Sequence, residues 1–235
     1  MEIGVFEGES LTLALPGTRA IGIDPGHQLA HQVTATARLY RETSDDFFVK
    51  HNVRKVLGGL PVDLAFIDGM HLFEFALRDF MNIEALTSEN STVMVHDCLP
   101  IDETTAARDR TTNKWSGDIW KLILCLKEYR PDLRISVVDV RPTGLAMIRG
   151  LDATSTVLAD RYEEICAKYV PMPFSVLDAD RDRMLNVFPD DWPQIRSLLP
   201  AEPFRSESSS ASAPGRRGAA ALSKRVMRRL ARVGR

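Results

Sequence analysis

The chain has only three cysteines in 235 residues, Cys98, Cys125 and Cys166, widely spaced and odd in number. That spacing supports neither a disulfide framework nor a zinc knuckle. It suits a reducing compartment, and a cytoplasmic location is the expectation. No apolar run approaches the roughly 20 residues of a membrane-spanning helix, and no basic stretch followed by an apolar one opens the sequence. The glycine pattern near the start is not the G-x-G-x-x-G of dinucleotide binders, which argues against NAD. A G-x-S-x-G elbow is also missing, so nothing points to a covalent serine nucleophile. No internal repeat is evident.

Net charge is low, but only in sum. Basic groups number 30 and acidic groups 32. Eight basic residues, among them Arg216, Arg217, Lys224 and Arg225, fall in residues 216–235, which hold no acid. The other 215 residues carry 22 basic against 32 acidic groups, a formal net of −10. An acidic body argues against a nucleic acid held along it. Residues 206–218 have the Ser-rich composition of a disordered linker. Across 219–235, Leu222, Val226, Leu230 and Val233 recur at helical spacing among basic residues. This basic amphipathic pattern suits peripheral contact with an anionic membrane or an acidic partner, and a solvated tail is the alternative.

Between these ends, strand and helix signals alternate. Short apolar runs end near Ile3, Ile23, Ile67 and Val95, with a weaker strand at 39–43. Helical patterns fall at 9–15, 28–39, 47–57, 72–86 and 115–129. Strands at 134–140 and 144–149 then meet as a hairpin around Arg141-Pro142-Thr143. The expected class is α/β, a mostly parallel sheet with an antiparallel edge strand and helices on both faces. Residues 151–205 read as a helical extension, with helix at 154–169 and a Pro-broken segment at 189–200.

Open sheets of this kind bind ligands beyond the carboxyl ends of their strands, so strand-end residues are the candidates. Glu2, Gly4 and Gly8 spell E-x-G-x-x-x-G, where glycine lets backbone approach a nucleotide-type ligand. Asp24 lies 20 residues after Gly4, the interval at which an acid meets ribose hydroxyls; a plain Asp-Pro-Gly turn is the alternative. Asp68 and Asp97 end neighbouring strands, where two carboxylates repel unless a cation lies between them.

Glu2-Ile3-Gly4…Gly8, Gly22-Ile23-Asp24, Phe66-Ile67-Asp68 and Val95-His96-Asp97 together resemble the class I S-adenosylmethionine-dependent methyltransferases. The small, metal-assisted, catechol-type O-methyltransferases are the nearest branch. The resemblance covers residues 1–150 and implies a Rossmann-like domain there, shortened at its N-terminus relative to the family. It implies S-adenosylmethionine as cofactor, bound by Glu2, Gly4, Gly8, Asp24, Ser44, Asp45 and Asp68, with Ser44 and Asp45 at the adenine edge. Ser44 reads equally well as a helix cap. It further implies a divalent metal such as Mg²⁺ on Asp68 and Asp97. The family's third ligand is replaced by Cys98, a poor Mg²⁺ ligand, so His71 or His96 would have to compensate.

His71 stands where these enzymes carry a lysine base, and an imidazole can take an acceptor's proton. Asp68 and His71 are therefore the catalytic candidates, with His96 and Trp115 as acceptor contacts. Arg108 and Arg110 are weaker candidates for the same loop, Trp120 reads as core, and His27, His31 and His51 read as surface residues. The implied reaction is methyl transfer to a hydroxyl of a small metabolite, a sugar or a phenol. Alternatives are a metal-independent N- or O-methyltransferase, or a non-catalytic module that associates through its tail. Self-association as a homo-oligomer stays open.

Overall fold

Apolar residues that alternate along the central strands sort the core onto two faces of one sheet. The computed structural model describes residues 1–199; the end of the 151–205 extension, the linker 206–218 and the tail 219–235 lie outside the described residues. The strands are β1 (Glu2–Ile3), β2 (Arg19–Ile23), β3 (Thr36–Tyr40), β4 (Leu64–Ile67), β5 (Thr92–His96), β6 (Arg134–Val138), β7 (Leu145–Arg149) and β8 (Val187–Phe188). Their order in the sheet is β3-β2-β1-β4-β5-β7-β6-β8. β7 runs antiparallel to both neighbours, and the expected hairpin pairs Val138 with Leu145. The result is the mostly parallel α/β, Rossmann-like sheet that the alternation predicts. The antiparallel strand is not outermost, because β6 and β8 extend the sheet beyond it. β8 has two residues, too few for any periodicity to register.

The helices are α1 (Ser44–Lys50), α2 (Val53–Val56), α3 (Phe73–Glu84), α4 (Trp120–Tyr129), α5 (Val157–Asp160), α6 (Tyr162–Tyr169), α7 (Ser175–Asp178), α8 (Arg181–Leu185) and α9 (Trp192–Leu198). Ala65, Ile67, Val93, Val95, Ala146 and Ile148 point to the side covered by α1, α3, α4 and α6. Phe66, Met94, Leu145 and Met147 point to the other side, where α9 closes over them through Ile195. In α3, Phe73, Leu77, Phe80 and Ile83 are fully buried at helical spacing. Each such side chain contributes about 1.5–3 kcal/mol of burial. Leu158, Ile165, Tyr169, Leu177 and Leu185, all beyond residue 150, join the same core.

Five helical readings change. Residues 28–39 form no helix: 36–39 belong to β3, and in 28–35 Gln28 N–H donates to the Phe6 carbonyl and Ala30 N–H to that of Glu7, which ties the segment to the β1 turn. Val33 and Ala35 then pack with Val5, Leu11 and Ala20. The 47–57 pattern breaks at His51, an extended residue, and Asn52, whose side chain caps α2. The 115–129 pattern begins only at Trp120, since Gly117 has φ +59° against the His71 carbonyl. Residues 154–169 divide into α5 and α6. At 9–15 only a 3-10 turn, Leu11–Leu13, forms.

Candidate active site

β1 lies between β2 and β4, so the turn that follows it is central on the carboxyl edge. Glu2 is buried and accepts a 2.5 Å hydrogen bond from Ser10 Oγ. Burial, opposed by that bond, pushes its carboxyl up to about 7. Gly4 has φ +84°, and a Cβ there would stand 1.9 Å from the Asp68 carbonyl oxygen. Only glycine fits this approach. Asp24 holds the turn from the other side. Its Oδ2 accepts from Val5 N–H at 2.9 Å and Phe6 N–H at 2.8 Å, and its Oδ1 accepts from Gly26 N–H at 2.6 Å. A carboxylate has about four acceptor positions, so three are engaged. Phe6, at the tip of the turn, is 68% exposed.

The adjacent ends of β4 and β5 bring four titratable side chains together. His71 lies between the two acids, with Nε2 3.3 Å from Asp68 Oδ1 and Nδ1 3.0 Å from Asp97 Oδ2. His96 Nδ1 is 3.1 Å from Asp68 Oδ1. Thr143, from the β6–β7 turn, donates to Asp97 Oδ1. Burial pulls both imidazoles down, but the hydrogen bonds and charges of the carboxylates outweigh it. His71 rises to about 10 and His96 to about 9. Asp68, despite burial, is held well below the usual carboxylate range by His96 and His71. Sequence reasoning expects His71 to titrate near neutrality; here both acids keep it cationic. His96 is buried, so it orients Asp68 and presents no face to an acceptor.

A loop after β5 walls one side. Trp115 stacks on His71 with ring centroids 5.3 Å apart and planes 15° off parallel, and its Nε1–H donates to the Ala107 carbonyl. Buried Asp118 anchors the loop: it accepts from Phe73 N–H, Arg108 and Lys121. Arg108 also binds Glu74 in bidentate fashion, so it is a loop fastener and not a free acceptor contact. Arg110 lies 5.9 Å from the Trp115 ring. Trp120 is core, as expected.

Other candidates are placed differently. The α1 cap is Thr43, which accepts from Asp46 N–H, not Ser44. Asp45 gives both carboxylate oxygens to Arg78, at 2.8 and 2.7 Å, which leaves it poorly suited to adenine. His27 is buried beside the Asp24 carbonyl, and His51 packs against Tyr40 and Phe47; neither is a free surface residue. Cys98 is buried in the core, and burial pushes its thiol up further, so it does not join the acids. Thr143, Asp118 and Asp79 were not singled out in the sequence. For Asp79 the signal is an acid within the apolar stripe of α3, three residues after Ala76 and four before Ile83.

No curated protein matches this chain. Residues 1–98 match the family model described as a methyltransferase domain, a span that takes in β1 through Cys98, including Asp24, Asp68, His71, His96 and Asp97, but not the loop of Arg108, Trp115 and Asp118 or Thr143.

Proposed function

We propose that the protein transfers a methyl group from S-adenosylmethionine to a hydroxyl of a small metabolite, a sugar or a phenol. The observation that carries this reading is the double placement of Asp68. Its carbonyl abuts Gly4 in the β1 turn, and its carboxylate reaches His71 and His96. A donor-binding turn and an acid–imidazole cluster are thereby built onto one residue.

Glu2, Gly4, Gly8, Asp24, Ser44 and Asp68 are assigned to the cofactor. Asp24 has one acceptor position left for a ribose hydroxyl beyond its three backbone bonds, and Asp45 acts through Arg78 in holding α1. When bound, the cofactor supplies a methyl group already activated on a sulfonium. The protein's share is to hold the acceptor oxygen in line and manage its proton. Trp115 offers a flat wall for an acceptor ring, His96 positions Asp68, and His71, kept cationic up to about pH 10 by the two acids, acts as a base only after it has lost its own proton.

The donor set fits a divalent cation. One atom each from Asp68, His71 and Asp97 lies within 4.8 Å of the others. Asp68 and Asp97 would hold such an ion, which would supply positive charge beside the acceptor oxygen. An imidazole in the set shifts preference from Mg²⁺ toward softer divalent ions. The metal-independent reading has its own support, because the His71 ring already lies between the two carboxylates and provides a cation there.

Transfer of labelled methyl from S-adenosylmethionine to a panel of phenols, vicinal diols and sugars, with and without chelator, tests the proposal. Transfer lost in chelator favours the metal, and transfer kept favours the metal-independent form. Cofactor binding without transfer to any acceptor would reduce the chain to a binding module. The basic segment 219–235, outside the described residues, is proposed to contact anionic membrane. Equal vesicle co-sedimentation of intact protein and protein lacking it would count against that contact.

A further inference from the structure

Asp97 follows β5 with a left-handed backbone, φ +58°, and its two carboxylate oxygens face different partners. Oδ2 lies 3.0 Å from His71 Nδ1. Oδ1 has His96 Nδ1 at 3.4 Å and accepts a hydrogen bond from the Thr143 hydroxyl. The last torsion of an aspartate side chain is broad and roughly two-fold. Rotamer preference therefore does not fix the plane of this carboxylate, and two imidazoles compete for it. The Thr143 hydroxyl fixes that plane by holding Oδ1, which leaves Oδ2 for His71.

The turn that carries Thr143 is itself held in place. Thr143 is 1% exposed, and a β-branched side chain is stiff at χ1. Its carbonyl accepts from Leu99 N–H at 2.7 Å, two residues past Asp97. Gly144, at φ +76°, lets the turn come so close that a Cβ there would stand 2.4 Å from Leu99 Cβ. The β6–β7 turn is thus clamped onto the chain that leaves β5. It lies outside the residues that match the methyltransferase model.

Asp97 in turn touches a ring with two other neighbours. His71 has Nε2 3.3 Å from Asp68 Oδ1 and stacks on Trp115 with centroids 5.3 Å apart. Rotation of the Asp97 carboxylate would release one side of the imidazole and disturb the indole stacked on it.

We propose that Thr143 is a positioning residue for methyl transfer, acting through Asp97 to hold the His71 ring against Trp115 and beside the acceptor oxygen. This rests on the methyltransferase reading and extends the working site to the β6–β7 turn. What the position requires is a hydroxyl donor, not merely a side chain of this size.

The test compares, in the full chain, Thr143→Val, which keeps the shape and loses the hydroxyl, with Thr143→Ser, which keeps the hydroxyl. Thr143→Ala repeats the loss without crowding the turn should the valine variant fail to fold. Labelled-methyl transfer to the same panel of phenols, vicinal diols and sugars is the first readout. Misplacing a reacting group by about 1 Å can cost about a hundredfold, so the hydroxyl-free variants should lose about tenfold or more in kcat. KM for S-adenosylmethionine should stay nearly unchanged, and serine should restore most of the rate. The second readout needs no acceptor: the emission of Trp115, taken as the difference from Trp115→Phe in each variant. It should change in the valine and alanine variants and be kept in the serine one. Equal rates in the valine and serine variants, or Trp115 emission indifferent to the hydroxyl, would make Thr143 a packing residue and overturn the proposal alone. No transfer by wild type to any acceptor of the panel would overturn the methyltransferase reading and the proposal with it.

Discussion

Gly4 and Asp68 meet backbone to backbone: a Cβ on Gly4 would stand 1.9 Å from the Asp68 carbonyl oxygen, at a φ of +84°. Gly4→Ala therefore meets two penalties, a left-handed conformation worth about 1–2 kcal/mol and the clash. Urea denaturation should show a loss above about 2 kcal/mol, with cofactor affinity lost as the turn moves off β4. Gly17 has a similar φ of +89° but nothing within 4 Å. Gly17→Ala should show the conformational loss alone.

Much of this edge was legible in the sequence because the central strands carry near-continuous apolar runs that end in Asp24, Asp68 and Asp97. The segment 28–35 was not, since Leu29 and Val33 are spaced as on a helix. What overrides that spacing is a pair of long-range bonds to Phe6 and Glu7. The partner of Asp45 is hidden for a similar reason: a carboxylate in the first turn of α1 looks free until Arg78, 33 residues on, is seen to take both oxygens. The cationic state of His71 likewise depends on Asp97 reaching its ring, a contact that no spacing announces.

Asp118 fixes the loop that carries Trp115. Removing it leaves Lys121, only 4% exposed at its side chain, without its carboxylate partner, and it frees Phe73 N–H. Breaking such a buried pair costs about 3–5 kcal/mol. Asp118→Ala should lower the unfolding free energy by that order and alter tryptophan fluorescence as Trp115 leaves His71. An unchanged spectrum would mean that the stacking is held by other contacts.

Glu2 makes stability depend on pH. Its folded-state pKa, about 7, lies above the ordinary 4.5, so the folded chain holds this proton more tightly than the unfolded chain does. Stabilisation present below about 4.5 is lost as pH rises through 7, amounting to about 3 kcal/mol at most. Asp79, pushed by burial up to about 7, has the same sign, so the Glu2 share must be isolated. Glu2→Gln should match wild type near pH 4 and exceed it by about 2–3 kcal/mol at pH 8. A difference that does not change with pH would remove Glu2 as the source.

The most direct measurement is calorimetric titration with S-adenosylhomocysteine, with and without Mg²⁺, of wild type and Asp24→Ala. The account predicts one binding site per chain, affinity nearly indifferent to the metal, and a loss of about 1.5–3 kcal/mol in the variant, the worth of hydrogen bonds to a charged group. No binding by wild type, or equal affinity in Asp24→Ala, would contradict it.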